Sequence, residues 1–85
     1  MSHVTATIIG LIGSAIFVAA FAYANVSRAM DKRLFNAMNL VGAILLLISL
    51  SVDFNLPAAV LESMWGIIAL IGLIAAIRGH GTPQL

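Results

Sequence analysis

Residues 5–33 read TATIIGLIGSAIFVAAFAYANVSRAMDKR, an apolar run that ends at a cluster of charged side chains. The apolar part, residues 5–24, is roughly 20 residues long, and an α-helix of that length crosses the hydrocarbon core of a bilayer, about 30 Å thick. A bilayer core offers no water to backbone polar groups, so a run that crosses it must be helical. We therefore interpret residues 5–24 as a transmembrane helix.

The same run can be compared with a cleaved signal peptide, because Ala22-Tyr23-Ala24 has the small-residue pattern of a signal-peptidase site. Two features favour a retained helix. Residues 1–5 contain no Lys or Arg, and the basic residues follow the apolar run instead of preceding it. We expect the run to remain in the protein.

Two further apolar runs follow, each after a short polar segment. A loop at residues 25–33 separates the first helix from a second at about 34–52, and Asp-Phe-Asn-Leu-Pro at 53–57 leads into a third at about 56–77. Asn55 is a favourable N-cap and Pro57 suits a first helical turn. The sequence predicts an all-α membrane protein, one module over residues 1–85 with three transmembrane helices, short loops and a short flexible tail from His80.

The composition agrees with lipid as the solvent. Of 85 residues, 62% are hydrophobic and 8% are charged, and the mean hydropathy is +1.15, far from the usage of soluble domains. The bilayer is therefore the first expected partner. A net charge of +1, with four Lys and Arg in total, does not suit nucleic-acid binding. The absence of cysteine excludes disulfides and thiolate metal sites, and we expect no metal and no cofactor.

The basic residues predict the orientation of the three helices. Three lie between the first and second runs and one follows the third: Arg28, Lys32, Arg33 and Arg78. Three crossings put these segments on one side of the membrane, which by the positive-inside rule is the cytoplasm. We expect a multi-pass protein of the cell inner membrane, with the N-terminus outside and the C-terminus in the cytoplasm.

Small residues form one stripe on the first helix and another on the third. At 100° per residue the first stripe is Ala6, Gly10, Gly13, Phe17, Ala20 and Ala24, and the second is Ala58, Glu62, Trp65, Ala69, Gly72 and Ala76. Helices approach closely along such stripes, so we predict a helix-packing interface at Gly10, Gly13, Ala20, Ala69, Gly72 and Ala76. The interface serves either packing within the three helices or contact with a partner. The opposite face of the third helix, Val60, Met64, Ile67, Ile71 and Ile74, is predicted to face lipid.

Glu62 is the first candidate for a functional role, because an acid inside a membrane span should face protein or water. One hypothesis is a proton-linked or cation-linked site, or a hydrogen-bonding anchor between helices. The alternative is an interfacial acid near the N-terminal end of the helix dipole, with its carboxylate in head-group water.

Asn36, Asn39 and Trp65 are the other candidate residues. The two amides lie in the first turns of the second helix, where they either bind a substrate or cap and cross-link helices. Trp65 and Tyr23 are interpreted as aromatic anchors near opposite interfaces, with a stacking pocket for a ligand as the alternative. Both histidines, His3 and His80, lie outside the spans, and no catalytic motif is present, so we expect no enzyme activity.

Three short motifs support a family resemblance: Asn39-Leu-Val-Gly42, Asn55-Leu-Pro57 and Glu62-Ser-Met-Trp65. Together they resemble a family of small three-helix bacterial inner-membrane domains of unknown function, which implies a three-helix module with no activity attached. The layout is also loosely similar to SemiSWEET and PQ-loop half-transporters. Those proteins share a Pro-Gln pair in their first helix, whereas Pro83-Gln84 here lies in the tail.

These patterns favour a non-enzymatic membrane protein that acts by helix–helix association. It would be a homo-oligomer or an accessory subunit of a larger membrane complex, so its expected partners are other membrane-protein subunits or itself. The alternative is a minimal dimeric SemiSWEET-like transporter of a small polar solute, with a pathway between protomers.

Overall fold

A computed structural model describes residues 1–79, which form three α-helices and no β-strand, as predicted for the all-α class. All three helices are long and apolar enough to cross a membrane. Their bounds are α1 His3–Val26, α2 Lys32–Leu50 and α3 Leu56–Ile77. The predicted flexible tail from His80 lies outside the described residues.

The first turn of α2 differs from the sequence expectation. We expected α2 at about residues 34–52, but it begins at Lys32 and ends at Leu50. The reason is Asp31, whose Oδ1 accepts hydrogen bonds from the backbone N–H groups of Arg33 at 2.9 Å and Leu34 at 3.4 Å. An acidic N-cap satisfies amides that a helix start leaves unpaired. Two of the basic residues assigned to the loop therefore belong to the helix.

The other two helices also begin at polar caps. Asn55 Oδ1 accepts a hydrogen bond from the Ala58 N–H at 3.1 Å, and Pro57 lies in the first turn of α3. Ser2 Oγ accepts from the Thr5 N–H at 3.1 Å, so α1 starts two residues before the apolar run. Each start thus lies where a short polar side chain replaces the missing carbonyl partner.

The three helices lie side by side, with α2 in the middle. Both α1 and α3 pack against α2, whereas no pair of α-carbons across α1 and α3 lies within 8 Å in the described chain. This arrangement leaves an open face between α1 and α3. This open face contains the site described below.

Small residues bring α1 and α2 close together. A methyl group added at Gly13 would lie 3.0 Å from the Gly42 carbonyl oxygen, and one at Gly42 would lie 2.5 Å from Cδ1 of Phe17. Ser49 Oγ donates to the Ala6 carbonyl oxygen across the same contact, at 2.7 Å. The stripe predicted on the first helix, including Gly10, Gly13 and Ala20, therefore faces α2.

A second close contact joins α2 and α3. A methyl group added at Gly66 would lie 3.3 Å from Cβ of Ala43, and Gly72 lies against the side chain of Asn36. Ala69 is buried in this contact. Near the end of α3, Arg33 Nε donates to the Ala76 carbonyl oxygen at 3.4 Å. The small-residue stripe predicted on the third helix thus also faces α2.

Polar contacts at the two ends of the molecule show which segments are neighbours. His3 Nδ1 lies 2.8 Å from Asp53 Oδ2, which places the start of α1 beside the α2–α3 loop. At the other end Tyr23 Oη accepts a hydrogen bond from the Asp31 N–H at 2.6 Å, and the α1–α2 loop lies at the same end as Ala76. We call the end of the molecule that contains the α1–α2 loop and Ala76 the loop-one end.

Few side chains are buried between the helices. In the described part of the chain no large side chain is fully buried, and the buried apolar residues are all alanines: Ala6, Ala20, Ala43 and Ala69. The face of α3 predicted to meet lipid is exposed at Val60, Met64, Ile67, Ile71 and Ile74. Exposed apolar surface on this scale is unusual for a soluble monomer, whereas lipid solvates it directly.

Candidate functional site

Asn39 and Trp65 form the main polar contact between helices. Trp65 Nε1 donates to Asn39 Oδ1 at 2.8 Å, and Asn39 Nδ2 donates to the Phe35 carbonyl oxygen at 2.9 Å. Asn39 is 7% exposed, so its amide is bonded at both ends where water is excluded. A hydrogen bond of this kind cross-links two helices in an apolar environment. This is the cross-linking alternative raised for Asn39.

Trp65 lies near the middle of α3, not at its end. Its ring also contacts that of Phe17 on α1, with the centroids 5.7 Å apart and the planes tilted by 42°. These contacts favour a packing role for Trp65 over the role of an interfacial anchor. The indole instead joins the two outer helices across the open face, in the tilted geometry that aromatic pairs favour.

The aromatic cleft lies between α1 and α3, on the loop-one side of the Phe17–Trp65 contact. Its volume is about 390 Å³, and its lining residues are Phe17, Val18, Phe21, Ala24, Asn25, Phe35, Asn39 and Trp65. A smaller pocket of about 150 Å³ adjoins it and shares Phe35, Asn39 and Trp65. The cleft volume is in the range of about 300–1,000 Å³ found for small-molecule sites.

The side-chain N–H groups along this cleft already donate within the protein. Trp65 and Asn39 bond to one another as described, and Asn25 Nδ2 donates to the Phe21 carbonyl oxygen at 2.8 Å. What the cleft presents to an occupant is therefore mainly aromatic and aliphatic carbon. Such a surface suits a hydrocarbon group better than a polar solute.

A family model matches residues 6–80 of this sequence. The chain belongs to that family, whose function is unknown. The match includes α2 and α3 entirely and α1 from Ala6 onward, and hence every residue that lines the aromatic cleft. Comparison with curated proteins gave no significant match, and comparison with solved structures gave none either.

Membership in the family agrees with the broad resemblance, drawn from the sequence, to a family of unknown function. The comparisons give no support to the specific motif pattern, and none to a similarity with SemiSWEET or PQ-loop proteins. In this chain the residues of the three motifs have different structural roles. Asn39 and Trp65 are bonded to each other, whereas Asn55 caps α3.

Glu62 lies one helical turn from Trp65 and is partly exposed. Among residues 1–79 its carboxylate makes no hydrogen bond and no ion pair. The structure therefore does not bring Glu62 into the Asn39–Trp65 contact. The residue stays a candidate by its position in an apolar helix, without a partner that defines a site.

Asn36 differs from Asn39 although the two are one turn apart. Its Nδ2 donates to the Lys32 carbonyl oxygen in its own helix at 2.9 Å, and its side chain packs on Gly72. It lines the smaller pocket beside the aromatic cleft. In the described chain, His, Asp and Glu residues form no group of three that could hold a metal ion.

Sequence reasoning placed Phe17 on the stripe of the first helix but did not assign Phe17, Phe21 or Phe35 to a cleft. Phe17 and Phe21 are four residues apart, so they project from one side of α1, and this spacing is visible in the sequence. Phe35 precedes Asn39 by the same interval on α2. What the sequence does not contain is the packing of α1 on α2, which brings these two pairs into the lining of one cleft.

Proposed function

We propose that this protein is a non-enzymatic membrane module that acts by helix–helix association, as a homo-oligomer or as an accessory subunit of a larger complex. The observation that carries the proposal is a second small-residue face on α1. Ala15, Ala19 and Ala22 lie within about 60° of one another around the helix, and all three are exposed. We call this set the outer alanine face.

Small residues on an exposed helix face support association in lipid. Between two helices in a bilayer there is little hydrophobic driving force, so contact depends on close backbone approach and packing. Alanine side chains permit that approach. Large residues border the outer alanine face, with Leu11 64% and Val18 68% exposed, and they would pack around a docked helix.

This surface replaces the one expected from sequence. The stripes that contain Gly10, Gly13 and Ala20 and those that contain Ala69, Gly72 and Ala76 pack against α2 of the same chain. These stripes are therefore already packed against α2 and do not offer a surface to a partner. The outer alanine face lies on the opposite side of α1 and is free for a partner helix.

We further propose that the protein lies in the cell inner membrane with the loop-one end in the cytoplasm. The support is the charge distribution, because all four Lys and Arg precede α2, begin it or follow α3. The opposite end carries Asp53 and His3. The positive-inside rule then assigns the N-terminus to the outside and the C-terminal end of α3 to the cytoplasm.

A minimal dimeric transporter is the weaker proposal. Two copies that face each other across their clefts would enclose a shared space, as that mechanism requires. However, a pathway for a small polar solute needs polar groups that can replace its water shell, and the side-chain N–H groups of Asn25, Asn39 and Trp65 already donate within the protein. Helix association therefore explains the structure better.

The experiment compares the wild type with an Ala15→Leu/Ala19→Leu double variant. Both are purified in mild detergent and measured by native mass spectrometry, and both are tested for co-purification from native membranes. The wild type should exceed the 8.9 kDa of a single chain or retain a partner subunit. The double variant should lose that association, because two leucines hold the backbones apart.

The matched control is Ser63→Leu, a small-to-large change at an exposed position of α3. It should leave the association unchanged. A wild type that is monomeric in detergent and in lipid nanodiscs, and that retains no other protein, would contradict the proposal.

A further inference from the structure

Glu62 is the one carboxylate of the sequence that the fold leaves without a partner. Asp31 Oδ1 caps α2, and Asp53 Oδ2 lies 2.8 Å from His3 Nδ1. Glu62 makes no hydrogen bond and no ion pair within residues 1–79, although it is the only Asp or Glu inside one of the three helices. Ionisable side chains in membrane helices almost always pair with another group. A single copy of the chain therefore does not account for this carboxylate.

The packing of α2 on α3 explains why Glu62 has no partner within the chain. The two helices are antiparallel, and Ala43 lies against Gly66. One turn further along this contact, the part of α2 that is level with Glu62 is residues 44–48, which read Ile-Leu-Leu-Leu-Ile. None of these side chains can donate a hydrogen bond. At this level α2 therefore offers the carboxylate only aliphatic carbon.

A second copy of the chain does not supply the missing cation. All four Lys and Arg lie at the loop-one end, and Arg78 follows Glu62 by 16 residues, which is about 24 Å along a helix. At the other end His3 is already paired with Asp53. Two copies in the same orientation would thus bring one Glu62 level with the other, and like charges repel at such a contact. The charge pattern favours a different protein as the partner.

We propose that Glu62 binds a Lys or Arg side chain on a transmembrane helix of a different membrane protein, which approaches α3 from the open face. Glu62 shares one stripe of α3 with Trp65, which borders that face and is 46% exposed. Six residues separate Glu62 from Leu56, so the cation of the partner lies about 9 Å along α3 from its start. This inference rests on the proposed function, of which it selects the accessory-subunit form, but it does not use the outer alanine face.

The bilayer strengthens such a pair and makes it selective. The attraction between opposite charges increases as the local dielectric constant falls. An unpaired charge in hydrocarbon is costly on either helix, and pairing removes that cost from both helices at once. A partner helix with an apolar residue at this depth leaves Glu62 unpaired. The carboxylate therefore distinguishes a basic helix from an apolar one.

Synthetic transmembrane helices test the chemistry of the partner directly. Three peptides of about 20 Leu and Ala residues carry Lys, Leu or Glu about six residues from a dansyl-labelled end. Each is mixed with the 85-residue chain in phosphatidylcholine vesicles, and energy transfer from Trp65, the single tryptophan, measures association. We expect the Lys peptide to associate about five-fold or more strongly than the Leu peptide, the size of polar contacts between model membrane helices. The Glu peptide should associate no better than the Leu peptide.

Glu62→Gln and Asp53→Asn form the matched pair of variants. Both remove one negative charge from the half of the protein opposite loop one, but Asp53 lies in the α2–α3 loop and is paired with His3. Glu62→Gln should abolish the preference for the Lys peptide, whereas Asp53→Asn should keep it. Equal association of the Lys and Leu peptides with the wild type would overturn the proposal, and so would a preference that survives Glu62→Gln. The Ala15→Leu/Ala19→Leu variant tests a different surface, so the two proposals fail independently.

Discussion

At the residue scale the fold depends on Asn39, the polar side chain that it buries most deeply among residues 1–79. An unbonded amide in this position would be costly, because neither lipid nor alanine can accept its hydrogen bonds. Trp65 and the Phe35 carbonyl supply the partners. The bond is therefore specific in direction as well as in distance, and it fixes the register of α3 along α2.

A double-mutant cycle between Asn39→Leu and Trp65→Phe should give a coupling energy of about 0.6 kcal/mol, and at most about 1.7 kcal/mol, because interhelical hydrogen bonds in membranes have these values. The unfolding free energy of each variant would be measured by titration with SDS, followed by far-UV circular dichroism. The control cycle pairs Asn36→Leu with Trp65→Phe. Asn36 donates within its own helix, so that coupling should be close to zero. Equal coupling in both cycles would refute the cross-link.

At the scale of the elements, the α1–α2 contact requires two glycines that face one another. A methyl group at Gly42 would lie 2.5 and 2.6 Å from two carbons of the Phe17 ring and 3.2 Å from the Gly13 carbonyl oxygen. That ring also contacts Trp65 and lines the aromatic cleft. Adding the methyl group therefore displaces the Phe17 ring from its contact with Trp65 or separates the helices.

Gly42→Ala should therefore destabilise the protein by about 1–3 kcal/mol relative to Gly66→Ala, the usual effect of overpacking. Gly66→Ala is the matched control, since its methyl group meets only Cβ of Ala43, at 3.3 Å. Both variants gain about 1 kcal/mol of intrinsic helix propensity, which cancels in the comparison. Unfolding in SDS measures the difference. Equal stabilities would show that the α1–α2 contact is looser than the structure indicates.

At the scale of the whole molecule, charge is divided between the two ends. The loop-one end carries all four Lys and Arg, and the opposite end carries the His3–Asp53 pair. Three helices, each long and apolar enough to cross a bilayer, connect these two ends. The orientation proposed from this division can be measured directly, because the chain contains no native cysteine.

Single Ala29→Cys and Phe54→Cys variants should react from opposite sides. Ala29 lies in the α1–α2 loop and Phe54 in the α2–α3 loop, and both are exposed. In right-side-out inner-membrane vesicles, an impermeant maleimide should label the Phe54→Cys variant at once and the Ala29→Cys variant only after the vesicles are opened. Ser2→Cys serves as the control and should behave like Phe54→Cys. Labelling of both loops from one side would show that α2 does not cross the membrane. The reverse labelling pattern would show that the orientation is opposite to the one proposed.

The sequence alone determined the number of helices, the Asn55 cap and the faces that carry small or bulky residues. These features depend on composition and on periodicity within one helix, which neighbouring residues fix locally. The start of α2 was missed by two residues because Asp31 was assigned to the loop by its charge, not recognised as a cap.

Only the tertiary structure placed α2 between the other helices and bonded Asn39 to Trp65, 26 residues further along the chain. It also packed the predicted small-residue stripes of α1 and α3 against α2 and left the aromatic cleft open. These features depend on how separate helices lie against each other. Each helix of this protein offers more than one face that can pack closely, so periodicity within a helix cannot select among them.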